Sequence, residues 1–221
     1  MSEYHKILTV YKRDPENSHK TLLDGEYACP EFEYLADNEW VFTEKIDGTN
    51  VRVECGYGRE TVTFKGRTDN AQMPTTLLAH LQRTFTPDAL RAVFPEGEGD
   101  DGDPEVVLYG EGYGVRIQKG GGKYLPDRVG FILFDVRVGR WWLTREAVWD
   151  VAVKLEIPYV PVVGYGTLRD AVSRTRVGFK SLIADDPDAL AEGLVMRPAV
   201  EMFGRNGKRI IAKIKHKDFS R

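Results

Sequence analysis

The stretch "WVFTEKIDGTNVRV", Trp40 to Val53, decides how the rest of the chain is read. Two runs rich in β-branched and aromatic residues flank a turn at Gly48-Thr49-Asn50, where glycine and asparagine supply the backbone conformations that turns need. Lys45 closes the first run and Asp47 follows two residues later. A lysine at a strand end is ordinarily a solvated ornament. This one precedes a turn able to aim it inward, so its meaning depends on what the remaining sequence can bring to it.

The chain has 221 residues, enough for one large domain with a sizeable core. Its 42% hydrophobic and 29% charged content are those of an ordinary globular protein. Cys29 and Cys55 fit no metal spacing and are too few for a disulfide framework, which points to a reducing, cytoplasmic setting. No apolar run reaches the ~18 residues of a membrane span, and the first residues lack the apolar core of a signal peptide. A net charge of −3 argues against indiscriminate nucleic-acid binding, but the charge is unevenly placed. Glu96, Glu98, Asp100, Asp101, Asp103 and Glu105 mark an acidic, glycine-rich surface loop. Arg205, Lys208, Arg209, Lys213, Lys215, Lys217 and Arg221 form a basic C-terminal strip that is either a solvated edge or a phosphate-neutralising surface.

Short runs with strand character recur at Trp40–Phe42, Asn50–Glu54, Thr61–Phe64, Val106–Tyr109, Phe131–Val136, Arg140–Leu143, Gly193–Met196 and Arg209–Ile214. "DVRVGRWWL" reads as a hairpin turning at Val138-Gly139. Helices are expected at Thr75–Phe85, after a Thr86-Pro87 cap, after Thr144, and over 168–184 with a break near Gly178. The fold class is therefore α+β, with antiparallel sheets flanked by helices and no regular strand–helix alternation. No repeat or linker divides the chain, so a single domain is expected. Neither a phosphate loop, an H-E-x-x-H nor a G-x-S-x-G motif occurs. The glycines of "YGEGYG", 109–114, lack dinucleotide-fold spacing.

Several strand ends carry charge where bulk is usual. Arg67 lies in "FKGRTDN", Glu111 follows an apolar run, Glu192 precedes one, and Lys213 and Lys215 are two apart and so share a strand face. Each alone reads equally well as a salt bridge or a solvated edge. Together and in this order they resemble the covalent nucleotidyltransferases, the superfamily of polynucleotide ligases and mRNA-capping enzymes. "EKIDGTN" resembles the nucleophile motif, "YGEGYG" the third motif, "FILFDV" the aromatic strand after it, "EGLVMRP" the fourth and "AKIKHKDF" the fifth. The resemblance covers Glu44 to Phe219. Thr49-Asn50 and the K-x-K-x-K-x-F ending are most similar to RNA ligases, whereas Asp47 is more usual in DNA ligases. With six residues after Lys215, a catalytic domain without a trailing OB-type domain is expected, or one whose specificity comes from a partner protein.

The resemblance implies an ATP-grasp-like ligase adenylation domain that uses ATP and Mg²⁺ or Mn²⁺ on RNA 5′-phosphate and 3′-hydroxyl ends. Lys45 is the expected site of a lysine–AMP bond, which divides one condensation into easier displacements. Asp47 and Glu192 repel phosphate directly, so they imply a metal between, held through water. Lys213 and Lys215 are expected to bind the α-phosphate and, by their charge, to keep the Lys45 amine neutral. Arg67 is expected at the ribose or the incoming 5′-phosphate, Glu111 at the ribose hydroxyls, and Phe134 against the adenine, with Phe131 facing the core. Glu44 is expected to help recognise the base and Asn50 to orient the leaving pyrophosphate. The loop "QKGGGKY", 118–124, reads as a flexible surface turn in preference to a mobile RNA-facing loop, and the segment before Lys45 as a packing arm or a substrate contact. The competing readings are DNA nick sealing or GTP-dependent capping with the same chemistry, and a non-catalytic nucleotide- or RNA-binding module.

Overall fold

In the computed structural model, which describes residues 3–56, 59–95 and 104–219, the chain contacts itself in two compact units. One comprises the N-terminus up to Tyr4 and Asp47–Val160; the other comprises His5–Ile46 and Pro161–Arg221. The backbone passes from one to the other between Ile46 and Asp47, inside the lysine motif. In chain order the elements are β1 (Leu8–Thr9), β2 (Tyr11–Arg13), β3 (Leu22–Tyr27), α1 (Pro30–Tyr34), β4 (Trp40–Lys45), β5 (Thr49–Cys55), β6 (Val62–Lys65), α2 (Thr75–Thr84) and α3 (Pro87–Val93). They continue with β7 (Val106–Gly114), β8 (Val129–Val138), β9 (Trp141–Trp142), α4 (Arg145–Lys154), β10 (Val162–Gly166), α5 (Leu168–Val177), β11 (Gly193–Pro198) and β12 (Ala212–Lys215). This is the expected α+β class.

The unit built on residues 47–160 is an antiparallel sheet of order β6-β5-β7-β8-β9. Val51 and Val53 of β5, Leu108 of β7 and Phe131 and Leu133 of β8 share a core with Leu77 and Leu81 of α2 and Val148 and Val151 of α4. The helices start where capping chemistry dictates. Thr86 and Thr144 accept from the N–H groups of Ala89 and Ala147, and Pro87 costs nothing at a first-turn position that lacks an N–H partner anyway.

The glycines of "YGEGYG" do not end the strand, as the sequence suggested; β7 runs through them to Gly114. Their reason is packing. A Cβ on Gly110 would stand 2.1 Å from the Phe131 ring, and one on Gly112 2.4 Å from a Leu77 methyl. Large side chains from a neighbouring strand and helix thus fill the space two missing side chains leave.

The other unit holds a sheet of order β1-β12-β11-β4-β10, in which only β1–β12 is parallel, and a separate β2–β3 hairpin. Trp40, Phe42, Leu194, Met196, Ala212 and Ile214 alternate onto one face and pack with Leu168, Ala171 and Val172 of α5. A Thr167–Asp170 capping box opens α5. The helix stops at Val177 before Gly178, whose φ of 85° suits glycine, so the helical expectation for 179–184 is not met. The segment before Lys45 acts partly as a packing arm, since Leu8–Thr9 adds a strand to β12.

The acidic run 96–103 lies outside the described residues; Glu105 pairs with Arg137 at 3.0 Å. Both cysteines are free thiols. Among the described residues no helix is long and apolar enough to cross a membrane.

Gly110→Ala should lower stability by about 1–3 kcal/mol through overpacking against Phe131, read as a drop in midpoint on urea unfolding. An unchanged midpoint would contradict the packing assigned to this glycine.

Candidate active site

Three strands of one sheet set up the cationic end of the site. In register, Lys45 of β4 and Lys215 of β12 both lie opposite Gly193 of the intervening β11, so the two lysines flank a residue with no side chain. Glu192 enters just before it. Its carboxylate bridges them: Oε2 is 2.6 Å from Lys45 Nζ and Oε1 is 2.6 Å from Lys215 Nζ. Gly193 permits this closeness, because a Cβ there would stand 2.0 Å from the carbonyl oxygen of Ile214. Lys45 Nζ also donates to the Ile46 carbonyl at 3.3 Å. Lys213, one residue pair along β12, shares the face of Lys215 and lies opposite Val195.

Both sides of this bridge are largely shielded, with side-chain exposures of 19% for Lys45, 9% for Glu192 and 21% for Lys215. Burial acts most strongly on the Glu192 carboxyl and pushes its pKa up. The charge of Lys45 and the hydrogen bonds from Lys215 and Lys45 together outweigh it, leaving the group below its ordinary value of 4.5. The expectation that paired cations keep the Lys45 amine neutral needs correction. A carboxylate sits between them, and an ion pair this short holds Lys45 as an ammonium. Neutralising that amine requires Glu192 to be drawn away first.

Glu44, one residue before Lys45, points to the opposite face of β4. It is 1% exposed. Its carboxylate accepts from the Ser181 hydroxyl and from the Leu182 N–H. Ser181 in turn accepts from the N–H groups of Ile183 and Ala184. Glu44 thus ties the 181–184 turn to the strand that carries the lysine.

The remaining candidates belong to the unit built on 47–160. Gly48 crosses β7 so closely that a Cβ would stand 2.2 Å from the Gly112 carbonyl oxygen, which accounts for the glycine of the Lys-Ile-Asp-Gly motif. The Asp47 N–H donates to the Tyr124 hydroxyl at 3.2 Å, and Gln118 Nε2 donates to the Gly48 carbonyl at 3.1 Å. "QKGGGKY" is therefore not a detached surface turn. It braces the lysine turn, with Tyr124 fully buried.

Asn50 of β5 stands opposite Glu111 of β7, on the sheet face away from the Val51–Leu108 core. Asn50 Oδ1 is buried with no hydrogen-bond partner among the described residues. Such an orphan is a position that a donor from water or a ligand would satisfy. Phe134 falls where the β7–β8 register shifts, between the Tyr109–Asp135 and Gly110–Leu133 pairs, an irregularity of the kind that re-aims a side chain. It is half-buried, its ring edge-on to Tyr4 at 5.3 Å, while Phe131 lies in the core as expected. Arg67 is exposed, just beyond the end of β6.

Two residues had been overlooked in the sequence. One is Tyr124. The other is Arg52, fully buried, whose guanidinium donates to the Gly66 carbonyl at 2.9 Å, Glu54 at 3.1 Å and Asp69 at 2.7 Å. It grips both sides of Arg67's turn. The Arg52 hydrogen bond holds Asp69 below the usual carboxylate range, and that of Glu54 holds Lys65 above the usual lysine range. The available signal was the period of β5, which puts Arg52 on the face of Asn50.

The RNA ligase family model matches residues 38–215. The chain belongs to the RNA ligase family. The match starts just before β4 and ends at Lys215, so the family's own boundaries enclose the Lys45–Glu192–Lys215 bridge. Solved structures share the fold. A Naegleria gruberi RNA ligase mutant with ATP and Mn is 18% identical with a TM-score of 0.62, covering 84% of this chain and 52% of that one. A second, ligand-free mutant of the Naegleria enzyme is 18% identical with a TM-score of 0.63, covering 96% and 57%. A third, with AMP and Mn, is 17% identical with a TM-score of 0.63, covering 96% and 57%. The chain thus spans less than three fifths of the length of these solved relatives. No curated protein matches the sequence.

Glu192→Gln leaves two ammonium groups facing each other and should lower stability at neutral pH by about 3 kcal/mol. Because the folded-state pKa of Glu192 is depressed, its contribution is complete above the ordinary value of 4.5 and is lost as pH falls through the folded value. The gap between wild type and variant in urea unfolding should therefore close in acid. A gap that stays constant with pH would contradict the bridge.

Proposed function

We propose that the chain is the adenylation domain of an ATP-dependent RNA ligase, joining 5′-phosphate and 3′-hydroxyl RNA ends through a covalent lysine–AMP. The observation that carries this reading is Lys45 held against Glu192 together with Lys215, inside a match to the RNA ligase family. The ATP- and AMP-containing structures of the Naegleria enzyme support the choice of nucleotide.

Lys45 rests as an ammonium and must lose its proton before it attacks. The free amine then forms an N–P bond to the α-phosphorus of ATP as the α–β bridging P–O bond breaks and pyrophosphate leaves. An oxygen of the RNA 5′-phosphate next attacks the same phosphorus, the P–N bond breaks, and Lys45 recovers its proton. Finally the 3′-hydroxyl attacks the activated 5′-phosphate and AMP departs. Lys213 and Lys215 are assigned to the α-phosphate, where their charges stabilise the extra negative charge of the transition state. Drawing Glu192 off Lys45 is the step that frees the amine for deprotonation.

Glu111 is assigned to the ribose hydroxyls, Phe134 to the adenine and Arg67 to the 5′-phosphate or ribose. The unpartnered Asn50 oxygen favours a donor such as a ribose hydroxyl, and amide rotation offers its NH₂ to pyrophosphate instead. Among the described residues no group of three or more His, Cys, Asp or Glu forms a metal cage. Glu192 and Asp47 are nevertheless hard oxygen donors of the kind Mg²⁺ and Mn²⁺ accept when water and phosphate oxygens complete the shell. The divalent ion would supply charge neutralisation on the phosphates. The free thiols fit a cytoplasmic role in RNA repair, with a partner protein contributing to the choice of RNA, and we take the two units as parts of one adenylation domain.

Incubation with α-labelled ATP and Mg²⁺ should leave acid-stable label on the protein, and Lys45→Ala should abolish it. Label that persists in the variant would remove Lys45 as the nucleophile.

A further inference from the structure

The 118–124 loop belongs to a longer stretch, "VRIQKGGGKYLPDR", whose charges are Arg116, Lys119, Lys123 and Arg128 against Asp127 alone. On a protein of net charge −3 this is a concentrated basic segment. The two ends of the stretch, Val115–Arg116 and Leu125–Arg128, line a cleft of about 1250 Å³ together with Arg83 and His80 of α2 and Tyr113. That volume exceeds the roughly 300–1,000 Å³ of a small-molecule pocket.

The three guanidiniums are exposed. Arg128 pairs with Asp127 at 3.0 Å. Among the described residues, neither Arg83 nor Arg116 is paired with a carboxylate. Burial and then the charge of Arg83 hold His80 below its ordinary value, so the cleft's positive charge near neutrality comes from its three arginines, against the single carboxylate of Asp127. Arg116 also has a φ of +62°, a conformation that costs a non-glycine residue energy and tends to persist where function requires it. Between the arginines the wall is apolar, with Leu125 and Val129.

The cleft also connects to the lysine turn. Tyr113 on its wall packs edge-on against Tyr124 at 5.9 Å, and Tyr124 accepts the Asp47 N–H. A strand lying in the cleft is therefore two aromatic rings from the backbone that follows the nucleophile.

We propose that this cleft is an RNA-docking groove, in which Arg83, Arg116 and Arg128 contact phosphates of one strand while its bases and sugars lie on the apolar wall. The inference rests on the ligase reading and names where that enzyme holds its polynucleotide. Guanidiniums in an open groove suit phosphate oxygens, and unpaired ones release counterions on binding.

The test compares wild type, the double variant Arg83→Ala/Arg116→Ala, and a control, Arg169→Ala/Arg176→Ala, which removes the same charge from α5. Self-labelling by ATP without RNA should be equal in all three. For a 5′-phosphorylated single-stranded RNA, the cleft variant should bind about tenfold more weakly, with the slope of log K against log salt reduced by about 1.4, or 0.7 per phosphate contact. The control should match wild type. RNA affinity and salt slope unchanged in the cleft variant, an equal loss in the control, or a loss confined to a polyglutamate competitor would each overturn the groove. Absence of self-labelling from wild type would instead sink the ligase reading.

Discussion

One carboxylate holding two ammonium groups is the constraint on which the catalytic end depends. Glu192 can accept from Lys45 and Lys215 at once because Gly193 lets the strands on either side approach a backbone without a side chain. Either lysine alone beside its like would be repelled; with the carboxylate between, three largely buried charges become a satisfied set.

A second theme is that rigidity around the turn comes from close backbone approach. Gly48 lies against Gly112, Gly110 makes room for Phe131, and Gly121 lies so near Gly114 that a Cβ would stand 2.0 Å from its carbonyl oxygen. The Gly48–Gly112 approach fixes the Asp47–Gly48 backbone against β7, while Tyr124 and Gln118 fix it with hydrogen bonds. Arg52 plays the equivalent part for the turn of Arg67.

Charge is partitioned likewise. The chain is acidic overall, but basic residues gather at the bridge and along 116–128. An acidic protein can in this way hold a polyanion at chosen places without attracting it everywhere.

Much of this was legible in the sequence. Strand periodicity and turn residues placed most of the strands, and threonine caps placed α3 and α4, because those signals are local. The ordered motifs singled out Lys45, Glu192 and Lys215, and the structure brings these three side chains together. What the sequence could not supply was pairing across distance. That Glu192 meets two lysines, that Glu44 turns away to Ser181, and that "QKGGGKY" braces a turn 70 residues earlier all follow from strand register. The strand run read as Val106–Tyr109 continues through the glycines to Gly114 for the same reason: locally a glycine run weakens a strand, and only the rings and methyls packed onto it from elsewhere give it its purpose. Residue types thus determined which chemistry was available, and tertiary packing decided which groups meet, because contact depends on where separate strands come to lie beside one another.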